Sequence, residues 1–274
     1  MNNLPLHTQQ VLSENRSFML GDYISDGWDI CKRDLGSFIG YFVISAFLAI
    51  MVSLFPYGIG NIGSLIIGGP LAVGFMVGAH AIRNDRSLVF SNFFDGFQRW
   101  QPLALSRLVI SFFSVLLLLP LLFYVVHLLG GWQSIIDLVS EGDEQEQGRM
   151  MVALFKENFT PISFLIMGLL IIPVFVVSYL YTASFFFIWF YQLSFWDGME
   201  ASRMLVTRHF GMLLLFNLVW GLILSISAIP CGLGLLFTVP AYACSQYVAF
   251  AHLTGLNEVN PEIDDITEHF IAPQ

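Results

Sequence analysis

Six long apolar stretches constrain this chain more than any other feature of its sequence. An α-helix needs about 20 residues to cross the hydrocarbon core of a bilayer. The stretches cover residues 38–55, 62–82, 103–129, 161–192, 210–228 and 232–253. We therefore predict an all-α polytopic membrane protein with six transmembrane helices. The fourth stretch exceeds the bilayer thickness, so it tilts, breaks near Pro173 or continues into the cytoplasm as helix.

The composition excludes an ordinary soluble fold. Of the 274 residues, 56% are hydrophobic and only 11% are charged, against about 25% charged in soluble domains. The polar start of the chain predicts no secretory signal peptide. We divide the chain into a cytoplasmic N-terminal segment (1–21), a six-span membrane domain (22–255) and an acidic cytoplasmic tail (256–274).

The distribution of basic residues predicts the orientation of the spans, because Lys and Arg are enriched in cytoplasmic loops. The basic residues on one side are Arg16, Lys32, Arg33, Arg83, Arg86, Arg99, Arg107, Arg203 and Arg208. Only Arg149 and Lys156 lie on the other side. Both termini are therefore predicted in the cytoplasm, and 130–159 is the outside loop. Its helical spacing predicts two short amphipathic helices joined by the acidic turn EGDEQEQG.

Three further stretches are amphipathic, namely 22–38, 88–100 and 196–210. In each of them, apolar residues recur at helical spacing opposite polar or charged residues. Helices of this kind lie in the plane of the lipid headgroups. Membrane lipids are therefore the predicted partners, and binding of other membrane proteins through the same faces is the alternative.

Helix-breaking residues interrupt two spans. Gly68, Gly69 and Pro70 lie within span two, and Pro240 lies within span six. Proline costs a helix about 3 kcal/mol or more, and lipid offers no replacement hydrogen bonds. Both prolines are therefore predicted to face protein. Either they bend the helices to fit, or the broken helices frame a site near the midplane.

Matching landmarks in the two halves predict an internal repeat. An amphipathic stretch near Trp28 or Trp196 precedes a span, and a proline-containing span ending near Ala-His follows. Both copies begin and end on the same side, which predicts a parallel repeat of spans 1–2 and 5–6. Small residues spaced four apart allow close helix approach in these spans. They are Ser45, Ala49 and Ser53; Gly74 and Gly78; Gly221 and Ser225; and Ala241, Ser245 and Ala249.

The polar side chains in the spans are few. No acidic or basic residue lies deep in any span, which disfavours proton-driven transport. Asn217 and Gln246 are the mid-span amides, on spans that the repeat pairs. The candidate substrate or packing site is therefore Gly68, Gly69, Pro70, Asn217, Pro240 and Gln246.

The sequence shows no recognisable catalytic chemistry. P-loop and nucleophile-elbow motifs are missing. His80 and His252, related by the repeat, are the one histidine pair that suggests a metal site, and no further ligand spacing supports it. The cysteines match no disulfide or metal pattern. The net charge of −9 is unlike that of a nucleic-acid binder. We predict no enzyme activity, no cofactor, no metal and no nucleic-acid partner.

Five segments resemble a known group of proteins. They are GGPLAVG (68–74), FFDGF (93–97), LLIIP (169–173), EASRMLVTRHFGMLLLF (200–216) and CGLGLLFTVPAYACSQYVAF (231–250). The group comprises uncharacterised bacterial six-span membrane proteins, a domain-of-unknown-function family with GGPL and Ile-Pro-Gly motifs, and their YciC-like relatives. Val174 follows Pro173 here in place of the glycine of that motif, which argues against a hinge. The resemblance implies a bacterial cytoplasmic membrane and six spans, and it brings no activity.

Two functions of different classes follow from these observations. The first is a non-enzymatic accessory, scaffold or lipid-associated membrane component. The alternative is a small transporter or channel-like facilitator for an uncharged or lipidic molecule, with its site near the broken helices. A dry, tightly packed centre favours the first, and a polar cavity lined by Asn217 and Gln246 favours the second.

Overall fold

The computed structural model describes residues 4–14, 16–56, 59–140, 144–230 and 232–256, and every regular element in these ranges is a helix. The elements are α1 (Leu6–Ser13), α2 (Leu20–Arg33), α3 (Leu35–Ser53), α4 (Ile59–Arg83), the 3₁₀ helix η1 (Phe90–Arg99), α5 (Trp100–Leu128), α6 (Gly131–Ser140), α7 (Glu144–Asn158), α8 (Pro161–Leu180), α9 (Ser184–Phe190), α10 (Phe195–Arg208), α11 (Phe210–Ala228) and α12 (Leu235–Thr254). The predicted all-α class is confirmed for these ranges. The tail from 257 onward lies outside them.

Five segments of the described residues are long and apolar enough to cross a membrane. They are Leu35–Ser53, Gly60–Arg83, Phe90–Leu128, Pro161–Phe190 and Phe210–Ala228. These segments coincide with the first five predicted spans. The third begins earlier than predicted because η1 leads directly into α5.

The sixth predicted span, 232–253, corresponds to α12, which is helical but is not one of these five segments. Tyr, Ser, Gln and His side chains lower its hydropathy. Most of its residues from Thr238 to Thr254 are buried against other helices. A helix surrounded by protein has no need of a lipid-compatible surface, and this accounts for its more polar composition.

The fourth predicted span breaks at 181–183 and not at Pro173, through which α8 continues. A serine of α10 satisfies the backbone at this break. The Ser202 hydroxyl donates to the Leu180 carbonyl at 2.9 Å and accepts from the Ala183 N–H at 3.1 Å. The break therefore leaves neither of these two backbone groups unpaired.

The chain divides into two compact units, of which the first comprises 1–108 and 180–274. Within this unit, α12 packs along α2 and also contacts α3, α4 and α11, while α4 packs along η1. The largest side chains of the buried core are mostly aromatic, and Phe38, Tyr41, Phe93, Phe186 and Tyr247 are completely inaccessible.

The small residues spaced four apart are buried throughout in two helices and largely exposed in the other two. Gly74 and Gly78 of α4 are buried, as are Ala241, Ser245 and Ala249 of α12. In α3, by contrast, Ala49 and Ser53 are exposed, and in α11 Gly221 and Ser225 are exposed. The spacing marks where close approach is possible, and among the described residues it is buried over its whole length in α4 and α12, whereas in α3 Ser45 alone is buried.

The second unit comprises 109–179. The predicted outside loop forms two helices here, α6 and α7, which contact each other. Part of the predicted acidic turn is helical, since α7 begins at Glu144, while residues 141–143 lie outside the described ranges.

The amphipathic stretches are more deeply packed than helices lying on a membrane surface. Stretch 88–100 forms η1, whose Phe93 has no accessible surface. Stretch 22–38 is two helices, because Asp34 interrupts it and its side chain accepts from the N–H of Ser37, at the start of α3. In stretch 196–210, Val206 is buried whereas Trp196 is 60% exposed.

Candidate functional site

The Gly-Gly-Pro segment of α4 is a close-packed joint. Gly69 and Pro70 are buried, and α4 continues through the proline. A Cβ on Gly69 would lie 3.1 Å from the Cβ of Leu103 on α5, and a Cβ on Gly96 of η1 would overlap the Pro70 carbonyl. The backbones of η1 and α4 can meet at Pro70 only because Gly96 lacks a side chain, and Gly69 likewise allows α4 to lie close to α5 at Leu103.

A tyrosine from α3 adds a hydrogen bond at the same joint. The Tyr41 hydroxyl donates to the carbonyl of Leu71, the residue after the proline, at 2.8 Å. Its ring stacks on Phe93, with centroids 4.7 Å apart. Tyr41 and Phe93 thus pack against the helix turn that follows Pro70.

Gly68 does not take part in this joint. It is half-buried, and a Cβ there would meet nothing within 4 Å. Of the three residues in the predicted breaker, only Gly69 and Pro70 are therefore constrained by packing.

Pro240 is buried within α12, so both prolines face protein as predicted. Tyr242, which joins Asn217 to Gln246, also lies on this helix. The Tyr242 hydroxyl donates to Asn217 Oδ1 at 2.7 Å, and Gln246 Nε2 donates to the Tyr242 oxygen at 2.6 Å. Asn217 Nδ2 donates in turn to the Leu213 carbonyl at 2.9 Å.

We call Asn217, Tyr242 and Gln246 the amide–tyrosine chain. All three are half-buried. The sequence predicted the two amides as site residues but missed the tyrosine that joins them. The only available signal was the four-residue spacing of Tyr242 and Gln246, which places both on one face of α12.

Two histidines are engaged with tyrosines and not with each other. His80 Nδ1 lies 2.7 Å from the buried Tyr247 hydroxyl, and the Asn84 amide lies 3.1 Å from His80 Nε2. His252 Nδ1 lies 2.8 Å from the Tyr23 hydroxyl. Burial raises the pKa of Tyr23, which keeps this phenol protonated and able to donate.

These contacts occupy a ring nitrogen of each histidine in the suggested metal pair. Among the described residues, no group of three or more His, Cys, Asp or Glu side chains is placed to hold a metal ion. The His–Tyr bonds cross between helices, so their direct effect is to hold α12 against α4 and α2.

Two cysteines that are far apart in the sequence lie close together. Cys31 on α2 and Cys244 on α12 lie near each other, and both residues are buried and unbridged. Gly27, one turn earlier on α2, faces Ser245, and a Cβ at this position would overlap the Ser245 backbone. Cys231 lies outside the described residues.

Comparisons with protein-family models, curated proteins and solved structures found no match to this chain.

Proposed function

We propose that this protein is a multi-pass integral membrane protein of the bacterial cytoplasmic membrane, acting as a non-enzymatic accessory, scaffold or lipid-associated component. The observation that supports this most directly is the apolar surface of its long helices. Ile162, Leu165 and Leu169 of α8 are each more than 60% exposed, as are Leu218 and Leu222 of α11. Apolar faces of this extent require lipid or a partner.

The packing around the helix breakers favours an accessory role over transport. Gly69 and Pro70 are covered by α5 and η1, and Tyr41 satisfies a carbonyl beside the proline. A substrate site at this turn would need space that these groups fill. The proline turn therefore serves to pack helices.

The six-span topology belongs to this proposal, with α12 as the sixth crossing and both termini in the cytoplasm. The excess of Lys and Arg on one side supports it. The proposal also includes membership of the bacterial six-span family that the GGPL and neighbouring motifs resemble.

The parallel repeat is likewise proposed, and the helix lengths support it. The pairs α2–α3 and α10–α11 each consist of a 14-residue and a 19-residue helix. A single residue, Asp34 or His209, separates the members of each pair. When α2 is matched with α10 and α3 with α11, the landmarks Trp28 and Trp196 are not equivalent. Trp28 lies in the second half of α2, whereas Trp196 lies at the beginning of α10.

A facilitator for an uncharged or lipidic molecule is the second candidate. The half-buried amide–tyrosine chain favours it, because donors and acceptors on apolar helices can replace the hydration of a neutral solute.

Solute flux into proteoliposomes separates the two functions. Purified protein is reconstituted, and glycerol and urea entry is followed by stopped-flow light scattering. We expect glycerol and urea to enter these proteoliposomes no faster than they enter protein-free vesicles. Entry that rises with protein content, falls in N217L and is unchanged in S225A, an exposed serine on the same helix, would contradict the accessory role and support a facilitator.

A further inference from the structure

A cleft between the ends of α2 and α4 has mixed charge. Its volume is about 270 Å³, and its lining residues are Asp26, Asp29, Ile30, Arg33 and Arg83. Arg83 ends a membrane-spanning segment and Arg33 ends α2. In a bilayer this is the level of the lipid headgroups.

One guanidinium in the cleft has unused donors. Arg83 lines the cleft, no hydrogen bond or ion pair joins its guanidinium to a described residue, and one of its nitrogens, Nη1, is buried. A buried charged donor left unpaired costs free energy, so such a group commonly marks a missing ligand or water. Arg33, by comparison, is already held by Asp85 at 3.2 Å and by the Ile82 carbonyl at 3.4 Å.

One carboxylate in the cleft is also uncommitted. Asp29 pairs with Lys32 at 3.3 Å. Asp26 is exposed and forms no ion pair with a described residue. Once the paired groups are set aside, one cation and one anion remain in the same small cleft, namely Arg83 and Asp26.

We propose that this cleft binds a phosphate–ammonium zwitterion, the chemistry of an ethanolamine phospholipid headgroup or of free phosphoethanolamine. Arg83 donates to the phosphate, because a guanidinium matches phosphate oxygens in charge and geometry. Asp26 accepts from the ammonium. A headgroup that carries a phosphate but no ammonium would leave Asp26 without a partner. It would also place the negative phosphate near the negative carboxylate of Asp26. Binding of a phospholipid headgroup rests on the membrane location proposed above. Binding of free phosphoethanolamine by the same two charged groups does not.

Lipid retention by the full-length protein tests this assignment. Protein in detergent is incubated with equal amounts of phosphatidylethanolamine and phosphatidylglycerol, and the bound lipid is counted by native mass spectrometry. We expect ethanolamine lipid to exceed glycerol lipid about tenfold, the effect of one charge-assisted hydrogen bond. D26N should remove this preference while phosphatidylglycerol binding persists. R83Q should weaken both lipids about tenfold.

The matched control is R203Q, which removes an arginine from the exposed Glu200 pair on α10, outside the cleft. It should leave both lipids unchanged. Equal retention of the two lipids by the wild type, or wild-type retention by both D26N and R83Q, would overturn the proposal.

Calorimetric titration with phosphoethanolamine and with inorganic phosphate distinguishes the sources. Binding of phosphoethanolamine that D26N abolishes supports the site with a soluble ligand, even if alkaline carbonate strips the protein from membranes and the proposed membrane role fails. Equal binding of inorganic phosphate and phosphoethanolamine would reduce the cleft to an anion site and overturn the zwitterion assignment.

Discussion

Individual glycines of α4 differ sharply in what surrounds them. Gly74 faces the Phe93 carbonyl and the Tyr41 hydroxyl, whereas Gly68 faces open space. Both occur in the same GGPL-containing helix, and sequence alone assigns them similar weight. The structure makes one of them a contact point and leaves the other unconstrained.

The paired substitutions G74A and G68A test this difference. A methyl group at Gly74 collides with backbone and a buried ring, so we expect a loss of about 1–3 kcal/mol. G68A should be neutral or stabilising by up to about 1 kcal/mol, because Ala is the better helix former. Thermal unfolding of the purified protein in detergent measures both, and a similar Tm for the two variants would contradict the packing of α4 on η1.

The amide–tyrosine chain makes a second prediction for single residues. Y242F should cost about 0.6–2 kcal/mol, the range for hydrogen bonds between membrane helices. The double variant N217L/Y242F should cost less than the sum of the single variants, since both remove the same bond. Full additivity in a thermal-unfolding cycle would mean that the two side chains do not interact.

His209, between α10 and α11, predicts that the stability of the folded protein depends on pH. Burial, together with the nearby Arg208, lowers its pKa in the folded state. The unfolded chain therefore binds the proton more readily, and stability is lost as pH falls through about 6.5. H209Q should remove its share of this loss, as measured by Tm between pH 7.5 and 5. An unchanged pH slope in H209Q would show that other groups account for it.

At the scale of elements, the break between α8 and α9 depends on a residue from another helix. Ser202 of α10 pairs with the carbonyl before the break and the N–H at its end. Length alone predicts that a stretch of this size must tilt or break. The partner on α10 decides where the break occurs.

S202A should therefore destabilise the protein, because it removes the partner of the half-buried Leu180 carbonyl and of the buried Ala183 N–H. The expected cost is about 1–3 kcal/mol. T207A is the control, since Thr207 is exposed on the same helix and bonds only to the Arg203 carbonyl. Equal Tm values for the two variants would mean that the break needs no support from α10.

For the whole molecule, the proposed topology places α6 and α7 outside the cell and the α4–η1 connection inside. Ser140, at the end of α6, and Ser87, before η1, are both exposed. In a C231S background, S140C should react with a membrane-impermeant maleimide on intact cells. S87C should react only after permeabilisation, and labelling of both positions from the same side would refute the topology.

The long apolar segments, their helical form and most of their ends could be predicted from the sequence, because each depends on properties summed over about 20 neighbouring residues. Packing around the prolines also followed, since lipid cannot satisfy a broken turn. The sequence could not show that α12 would be the enclosed helix, that Tyr242 would join Asn217 to Gln246, or that Cys31 would meet Cys244. Each of these contacts joins residues that are distant in the chain or on different helices, and only the tertiary arrangement determines which faces meet.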